Sequence, residues 1–390
     1  MNYRHFSQNH RPFSFLGSCS LILFSLGNIA CGAGEADGGS IAVQVSGEDA
    51  ATDGFSFPTG SEVTFIDGWE LRFSHVLVTV DHVTISENPN LAPSDQSRTG
   101  PAVARADGPW AIDLTVPGSV PGAGGEGEAT PLVTLENQNL RDGQPFAADE
   151  TYAFGYDIVA ATGEALAVNF AGDAEAEALY RTMIDRGHAV LYAGTARFRG
   201  GDDCRSGGDY DFSELPQELE FELGFATPTT YLNCQNHENQ GDPLPEEEAP
   251  RGIALPSNRA ALGQVTLHLE HPFFSSVVHD SGIYFDQMAA RLVGVPAGTK
   301  LTTEDLAGVD PTELRDARDR PLPWRACTDA ELPPGTRGFD VGTLPLDPNA
   351  EPGTALRDYR DFVSYVQSTQ GHLNGGEGLC SVRRNYPSPR

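Results

Sequence analysis

The chain reads as mainly β: a β-sandwich of the immunoglobulin or prealbumin kind with one inserted helix, followed by a C-terminal part of short helices and loops. Three observations predict it. Apolar runs of strand length recur from Ile41 to about Phe274, separated by Gly-, Pro- and Asn-rich stretches. A helical period appears once within that span, between two strand-like runs. After about residue 282 the spacing becomes helical and the loops lengthen. The expected organisation is a secretory leader at 1–30, a flexible tether at 31–40, a sandwich at 41–282 and a helical and loop region at 283–390 packed on it.

Taken in order, Ile41-Ala-Val-Gln-Val45 alternates as a strand does. Trp69 to Ile85 (WELRFSHVLVTVDHVTI) is the longest β-like run. Leu71, Phe73 and Leu77 share one of its faces, and Val76, Val78 and Val80 the other. Apolar residues on both faces predict a central strand covered on both sides, or a bulge that swaps the faces. Residues 86–100 are a polar loop, Trp110 to Val116 a strand, 117–130 a Gly/Pro loop, and Pro131 to Glu136, Thr151 to Ala161 and Ala189 to Phe198 further strands. The inserted helix carries Asp173 as its cap, Glu175 and Glu177 in its first turn, Leu179, Met183 and Ile184 on one face, and Gly187 as its stop. Residues 217–234 read as a strand pair around Thr227-Pro228, and Gly263 to Phe274 as the last strand. Beyond it, Ile283 to Val293 reads as a helix and Asp310-Pro311 as the start of another. Leu356, Tyr359, Phe362, Val363 and Val366 have helical spacing, closed by Gly371.

The first 31 residues carry an address. Arg4, His5, His10 and Arg11 precede an apolar run from Phe13 to Ala30, and Ala30-Cys31-Gly32 follows. A basic head, an apolar core and a small-residue cleavage site make a secretory leader. A Cys directly after the small residue marks the bacterial lipoprotein form, in which Cys31 is acylated. The expected location is the cell envelope, on the periplasmic side or outer surface, with the protein held to the membrane by lipid. Without lipid on Cys31 the chain is secreted. An envelope protein is the partner class that address implies.

Charge narrows the function classes. Lys and Arg total 25 against 55 Asp and Glu, for a net charge of −30, and Lys300 is the single lysine. Such a surface repels phosphate backbones, which argues against nucleic-acid binding. Of six cysteines, Cys19 lies in the leader and Cys31 at the lipid position. Cys204, Cys234, Cys327 and Cys380 remain, an even set that reads as two disulfides in an oxidising compartment. Three pairings are open; Cys204–Cys234 with Cys327–Cys380 is preferred because each closes a local segment.

Nucleophile elbows, zinc-protease helices, P-loops and dinucleotide fingerprints are absent. His279-Asp280-Ser281 places three triad residue types in a row, but triads are assembled in space, so a hydrolase is the weakest alternative and no catalytic residue is assigned. The sharpest cluster is HLEHPFFSSVVHD. On a strand, His268 and Glu270 share a face while His271 points away, and a turn at Pro272 would return His279 or Asp280 to that face. Two imidazoles and a carboxylate suit copper(II) or zinc(II). His268 and His271 are the first ligand candidates, then His279, Glu270 and His75, with His82 and His188 as reserves. His372, just past a helix end, reads as a structural cap. Calcium is a lesser candidate, at Asp202, Asp203, Asp209, Asp211 and Glu214. Tyr231 and Trp324 lie among polar residues and support an alternative function, a surface module that stacks aromatics on a glycan or holds a protein.

The order of segments resembles the MbnP-type family of secreted, copper-associated bacterial lipoproteins. LRFSHVLVTVDHVTI is similar to that family's early strand, YAFGYDIVAAT to the Gly-rich strand after it, FELGFATPTTYLNC to a later strand ending near a Cys, and QVTLHLEHPFF to the final one. The resemblance spans about residues 65–275. It implies a β-sandwich, a periplasmic or surface position, copper held by histidines, and an oxidised tryptophan, for which Trp69, Trp110 and Trp324 are the available residues. The family's early cysteine pair and Trp-rich segment are missing here. The leading expectation is a non-enzymatic, lipid-anchored, metal-binding protein.

Overall fold

The longest apolar run becomes the longest strand, Trp69–Ser86. Both explanations of its two apolar faces hold. It is central, with Val190–Phe198 and Thr151–Ile158 along one side and Trp110–Asp113 and Ala102–Ala106 along the other. Against the first two of these its register also shifts, between Phe73 and His75 and between Asp81 and Thr84, each shift resetting which residues face which layer. The computed structural model describes residues 39–58, 63–257, 259–278, 281–333 and 337–384. The leader, Cys31 and most of the tether lie outside them, as does His279.

The protein is mainly β, with large mixed sheets and a few short helices. The larger sheet runs Leu301–Thr302, Glu218–Phe225, Val190–Phe198, Trp69–Ser86, Thr151–Ile158, Thr229–Leu232 and Ser381–Arg384. The smaller runs Gly371–Leu373, Ala261–Leu267, Ile41–Ser46, Glu128–Leu135 and Val120–Pro121, with Ile41–Ser46 parallel to Ala261–Leu267. Side chains of both sheets meet in one core, among them Val43, Val265, Leu267 and Leu373 from the smaller and Phe154, Tyr156, Tyr192 and Tyr231 from the larger. Two glycines let the layers close. A Cβ at Gly263 would stand 2.8 Å from the Phe154 ring, and one at Gly371 would stand 2.5 Å from the Tyr156 hydroxyl.

Several expectations change. The strands Glu218–Phe225 and Thr229–Leu232 are no hairpin: Val190–Phe198, Trp69–Ser86 and Thr151–Ile158 lie between them in the sheet. The last strand of the supposed sandwich stops at Leu267, and His271–Phe273 forms a helical turn with Pro272 in its first turn. Residues after 282 do not simply pack on a finished sandwich. Leu301–Thr302 and Ser381–Arg384 complete the larger sheet and Gly371–Leu373 the smaller. The helix Ala174–Arg186 is capped as expected, Asp173 accepting from Glu175 and Ala176 amides and Gly187 turning left-handed at φ 68°. Tyr359–Gln367 is also helical. Asp310 instead folds back on Thr312, accepting from its amide and hydroxyl at 2.8 and 2.7 Å, so the chain turns and no helix starts there. The helix expected over 283–293 is confined to Asp286–Ala289 and one tighter turn, Ala290–Leu292.

The disulfides are Cys204–Cys327 and Cys234–Cys380, not the local pairs. Strand register explains both. Arg205 pairs with Ala326 and Ser206 with Arg325, so the next residues outward are Cys204 and Cys327. Leu232 pairs with Ser381, which brings Cys234 beside Cys380. Closure of a short loop is a weaker constraint than backbone pairing that has already aligned the two chains.

A buried ionic knot ties the long strand to the C-terminal half. Trp69 Nε1 donates to Asp286 at 2.8 Å, Arg325 donates to both Asp286 oxygens, and Asp67 accepts from the Phe285 and Asp286 amides at 2.7 and 2.6 Å. Asp67 is fully buried. Burial, and then the Asp286 charge, push its pKa well above the ordinary 3.8. An acid whose native pKa is raised contributes stability that is fully present below the unfolded value and lost as pH rises through the native one. Asp67→Asn removes that loss. The stability of D67N relative to wild type is expected to rise with pH above about 4, by at most about 1.4 kcal/mol per pH unit, in urea unfolding series. A relative stability independent of pH would show that Asp67 is ionised in the native protein. For the disulfides, Cys234→Ser with Cys380→Ser is expected to cost about 2–5 kcal/mol by the same method. Non-reducing peptide mapping should recover the two pairs named above and neither local pair.

Candidate functional site: a buried histidine cluster

Two elements of the smaller sheet build the cluster. Thr266 pairs with His372 across the antiparallel ladder. Residues two apart share a face, so His268 lies on the same face as Thr266 and diagonal to His372. The two rings stack, with centroids 4.1 Å apart and planes 14° from parallel. The chain then leaves the sheet at Leu267 and turns through Glu270 and Pro272, which swings His271 under the pair. Its ring centroid lies 6.0 Å from His268 and 5.7 Å from His372. A continuous strand would have sent His271 to the opposite face; the turn overrides that expectation. His268, His271 and His372 each offer a ligand atom within 4.8 Å of the others, and all three are buried.

Their hydrogen bonds fix where the protons sit. His372 Nδ1 lies 3.2 Å from the Gly378 carbonyl, which can only accept, so Nδ1 carries hydrogen. The Thr369 hydroxyl donates to the Val366 carbonyl at 2.7 Å, so it accepts from His271 Nδ1, also at 2.7 Å. At both histidines Nδ1 is therefore the protonated, hydrogen-bonded nitrogen, the arrangement seen where outer partners orient metal-binding imidazoles.

His268 is surrounded by carboxylates. Its Nε2 stands 3.4 Å from Glu48, and its Nδ1 stands 3.3 Å from Glu377 and 3.7 Å from Glu270. None of these contacts is aligned as a hydrogen bond, and both ring nitrogens and Glu48 Oε1 are buried. Burial alone would lower the His268 pKa; Glu377, Glu48 and Glu270 overcome it and hold the ring well above the ordinary imidazole value. Burial raises the Glu270 pKa, with His268 opposing. His268, Glu270 and Glu377 form a second group of ligand atoms within 4.8 Å of one another. These carboxylates are arranged to hold positive charge at or beside His268.

No family model, curated protein or solved structure matches this chain.

Of the residues expected from sequence, His268, His271 and Glu270 are brought together. His75 is elsewhere, its Nδ1 2.6 Å from Asp113 in a buried pair. His372, a cap by its place after a helix, is a member of the cluster, and Glu48 and Glu377 join it from outside the sequence motif. The short alternation Gly371-His372-Leu373 was the available signal for His372. Nothing local marked Glu48 or Glu377, which arrive from a helix of the N-terminal region (Glu48–Asp53) and from the loop after the His372 strand.

The other candidate chemistry fares differently. In the acidic loop beside Cys204, Asp211 caps a turn and Glu214 is held by Arg318 and Arg320, so two of the five expected calcium ligands already have partners. Tyr231 and Trp324, the aromatics of the glycan-stacking alternative, are buried, as are the other two tryptophans, Trp69 and Trp110. No helix among the described residues is long and apolar enough to cross a membrane.

Proposed function

We propose that this is a lipid-anchored envelope protein that binds copper(II) or zinc(II) without catalysing a reaction, through His268, His271 and His372, with Glu270 and Glu377 beside them. The observation that carries the reading is the convergence of three buried imidazoles, two of them with Nδ1 protons committed to Gly378 and Thr369. Imidazole suits both metals, and the cluster offers no thiolate or thioether of the kind that selects copper(I). Zinc and copper sit about 2.0–2.1 Å from imidazole nitrogen. Three nitrogens within 4.8 Å of one another therefore close on an ion by small ring rotations. The carboxylates of Glu48, Glu270 and Glu377 supply the negative charge that offsets a divalent ion in a desolvated place.

The envelope part of the proposal rests on the leader, on Cys31 in a lipoprotein context and on the two disulfides, which fit an oxidising compartment. The resemblance to MbnP-type lipoproteins agrees with both halves. With the tryptophans buried, the metal reading has more support than the aromatic binding module.

The test is metal content by mass spectrometry on mature protein purified from an envelope fraction without chelator and then desalted. Near-stoichiometric copper or zinc is expected, and His271→Ala or His372→Ala should lose it while keeping the circular dichroism of wild type. Metal at 100 times its Kd should stabilise the apo-protein by about 2.7 kcal/mol, read as a rise in Tm. A well-folded wild type that retains no metal and whose Tm ignores both ions would overturn the reading. Membrane-fraction recovery lost in Cys31→Ser would test the anchor.

A further inference from the structure

The second register shift in the long strand builds another cluster, independent of the first. Asp81 pairs directly with Asp157 on the neighbouring strand, and the ladder then skips to Thr84 against Gly155. Like charges directly opposite on paired strands repel. Of the two residues skipped, His82 and Val83, His82 sits at φ 48°, a left-handed conformation uncommon outside glycine, and its ring lies among the carboxylates. A third, Asp107, follows the strand Ala102–Ala106 that pairs along the other side.

The atoms are specifically arranged. Asp157 Oδ2 lies 2.9 Å from His82 Nδ1 and, as an acceptor only, fixes the proton there. Nε2 then faces Asp81 Oδ2 at 3.6 Å and Asp107 Oδ1 at 3.8 Å. The Asp81 side chain is largely buried, 12% exposed. Its Oδ1 is anchored by the His82 and Gly108 amides at 2.7 and 2.8 Å, and its Oδ2 is the oxygen that stands 3.6 Å from Nε2. His82, Asp81 and Asp107 each offer a ligand atom within 4.8 Å of the others. Ligands on one tetrahedral ion at bond lengths near 2.1 Å stand about 3.4 Å apart. The two spacings from Nε2 are within a few tenths of an ångström of that.

We propose that Asp81, His82 and Asp107 form a second divalent-cation site, open to solvent and taking a transition ion such as zinc(II), with Asp157 as the positioning residue that fixes the His82 tautomer. Around the ring stand three carboxylates, and one arginine, Arg105, pairs with Asp107. A divalent ion balances the remainder. The carboxylate–imidazole–metal order matches the way outer carboxylates orient ligating histidines. Arg105 is the ion's competitor, since it uses the same Asp107 oxygen that faces His82. The site is more exposed than the histidine cluster and has one nitrogen rather than three, so it exchanges its ion faster and binds it less tightly.

Zinc titration of chelator-stripped protein by calorimetry tests this. His82→Asn keeps the left-handed backbone, which Asn adopts readily, and should abolish one binding event. Asp107→Asn, at an exposed position, should weaken that event by at least about tenfold, and Asp157→Asn by about tenfold without touching the ion. Arg105→Ala should strengthen it. A purely structural salt-bridge network predicts no gain from R105A. The event should survive in H372A, which separates it from the first site. Isotherms of H82N and D107N that match wild type would overturn this proposal alone. H372A and H82N both matching wild type would overturn this proposal and the first together.

Discussion

Three tyrosine hydroxyls hold this structure's chemistry in place. Tyr156, Tyr192 and Tyr231 stand on the larger sheet, fully buried, and reach across the core to the segment that leads into the last strand of the smaller one. Tyr231 donates to the Ser368 carbonyl at 2.9 Å, Tyr192 to the Gln370 side chain and Tyr156 to the His372 carbonyl at 3.1 Å. From the opposite side the His268 amide donates to the Gln370 carbonyl at 2.9 Å. A buried hydroxyl or carbonyl left unpaired costs about 1–3 kcal/mol, so each bond makes any other placement of the segment expensive. Only Gly371 permits the approach, because any side chain there would collide with Tyr156 and Tyr231. His372 and His268 are thus stacked by the same contacts that join the sheets.

That dependence explains what could be read from the sequence. Strands announce themselves through local alternation, and the long central one was legible together with the reason for its two apolar faces. The capped helix at Ala174–Arg186 was equally legible, since its cap and stop are local chemistry. The disulfide pairs were not, because Cys204 meets Cys327 through a two-residue strand pairing across 123 positions. His372 was hidden for the same kind of reason: nothing near it in the chain states that it will lie opposite Thr266. Treating His268 and His271 as members of one strand gave a conflict about their faces. The helical turn at Pro272 resolves it by ending the strand between them.

The two cation clusters use strand irregularity in different ways. At His271 the strand terminates, which turns a residue from the far face onto the near one. At His82 the strand continues and takes on one extra residue, at the cost of a left-handed backbone. A regular ladder would have left Asp81 and Asp157 facing each other with no basic group between them. In both places a departure from alternation places an imidazole in a cluster, beside the His268 and His372 rings in the first and among aspartates in the second.

Charge links these local devices to the whole chain. A protein of net charge −30 repels anions and gathers counter-cations over its surface. Diffuse attraction of that kind is screened within about 8–10 Å at physiological salt and does not by itself select an ion. Selection needs donors of fixed identity held at fixed spacing. The histidine cluster meets this by burial, where Glu48 and Glu270 act with little screening on His268. The His82 cluster meets it through backbone geometry, with the Asp81 carboxylate clamped by two amides. On the metal-binding proposal, an acidic surface that attracts divalent ions and a sandwich that fixes a few nitrogen and oxygen donors are complementary: the first would set how often ions arrive, the second which of them stay.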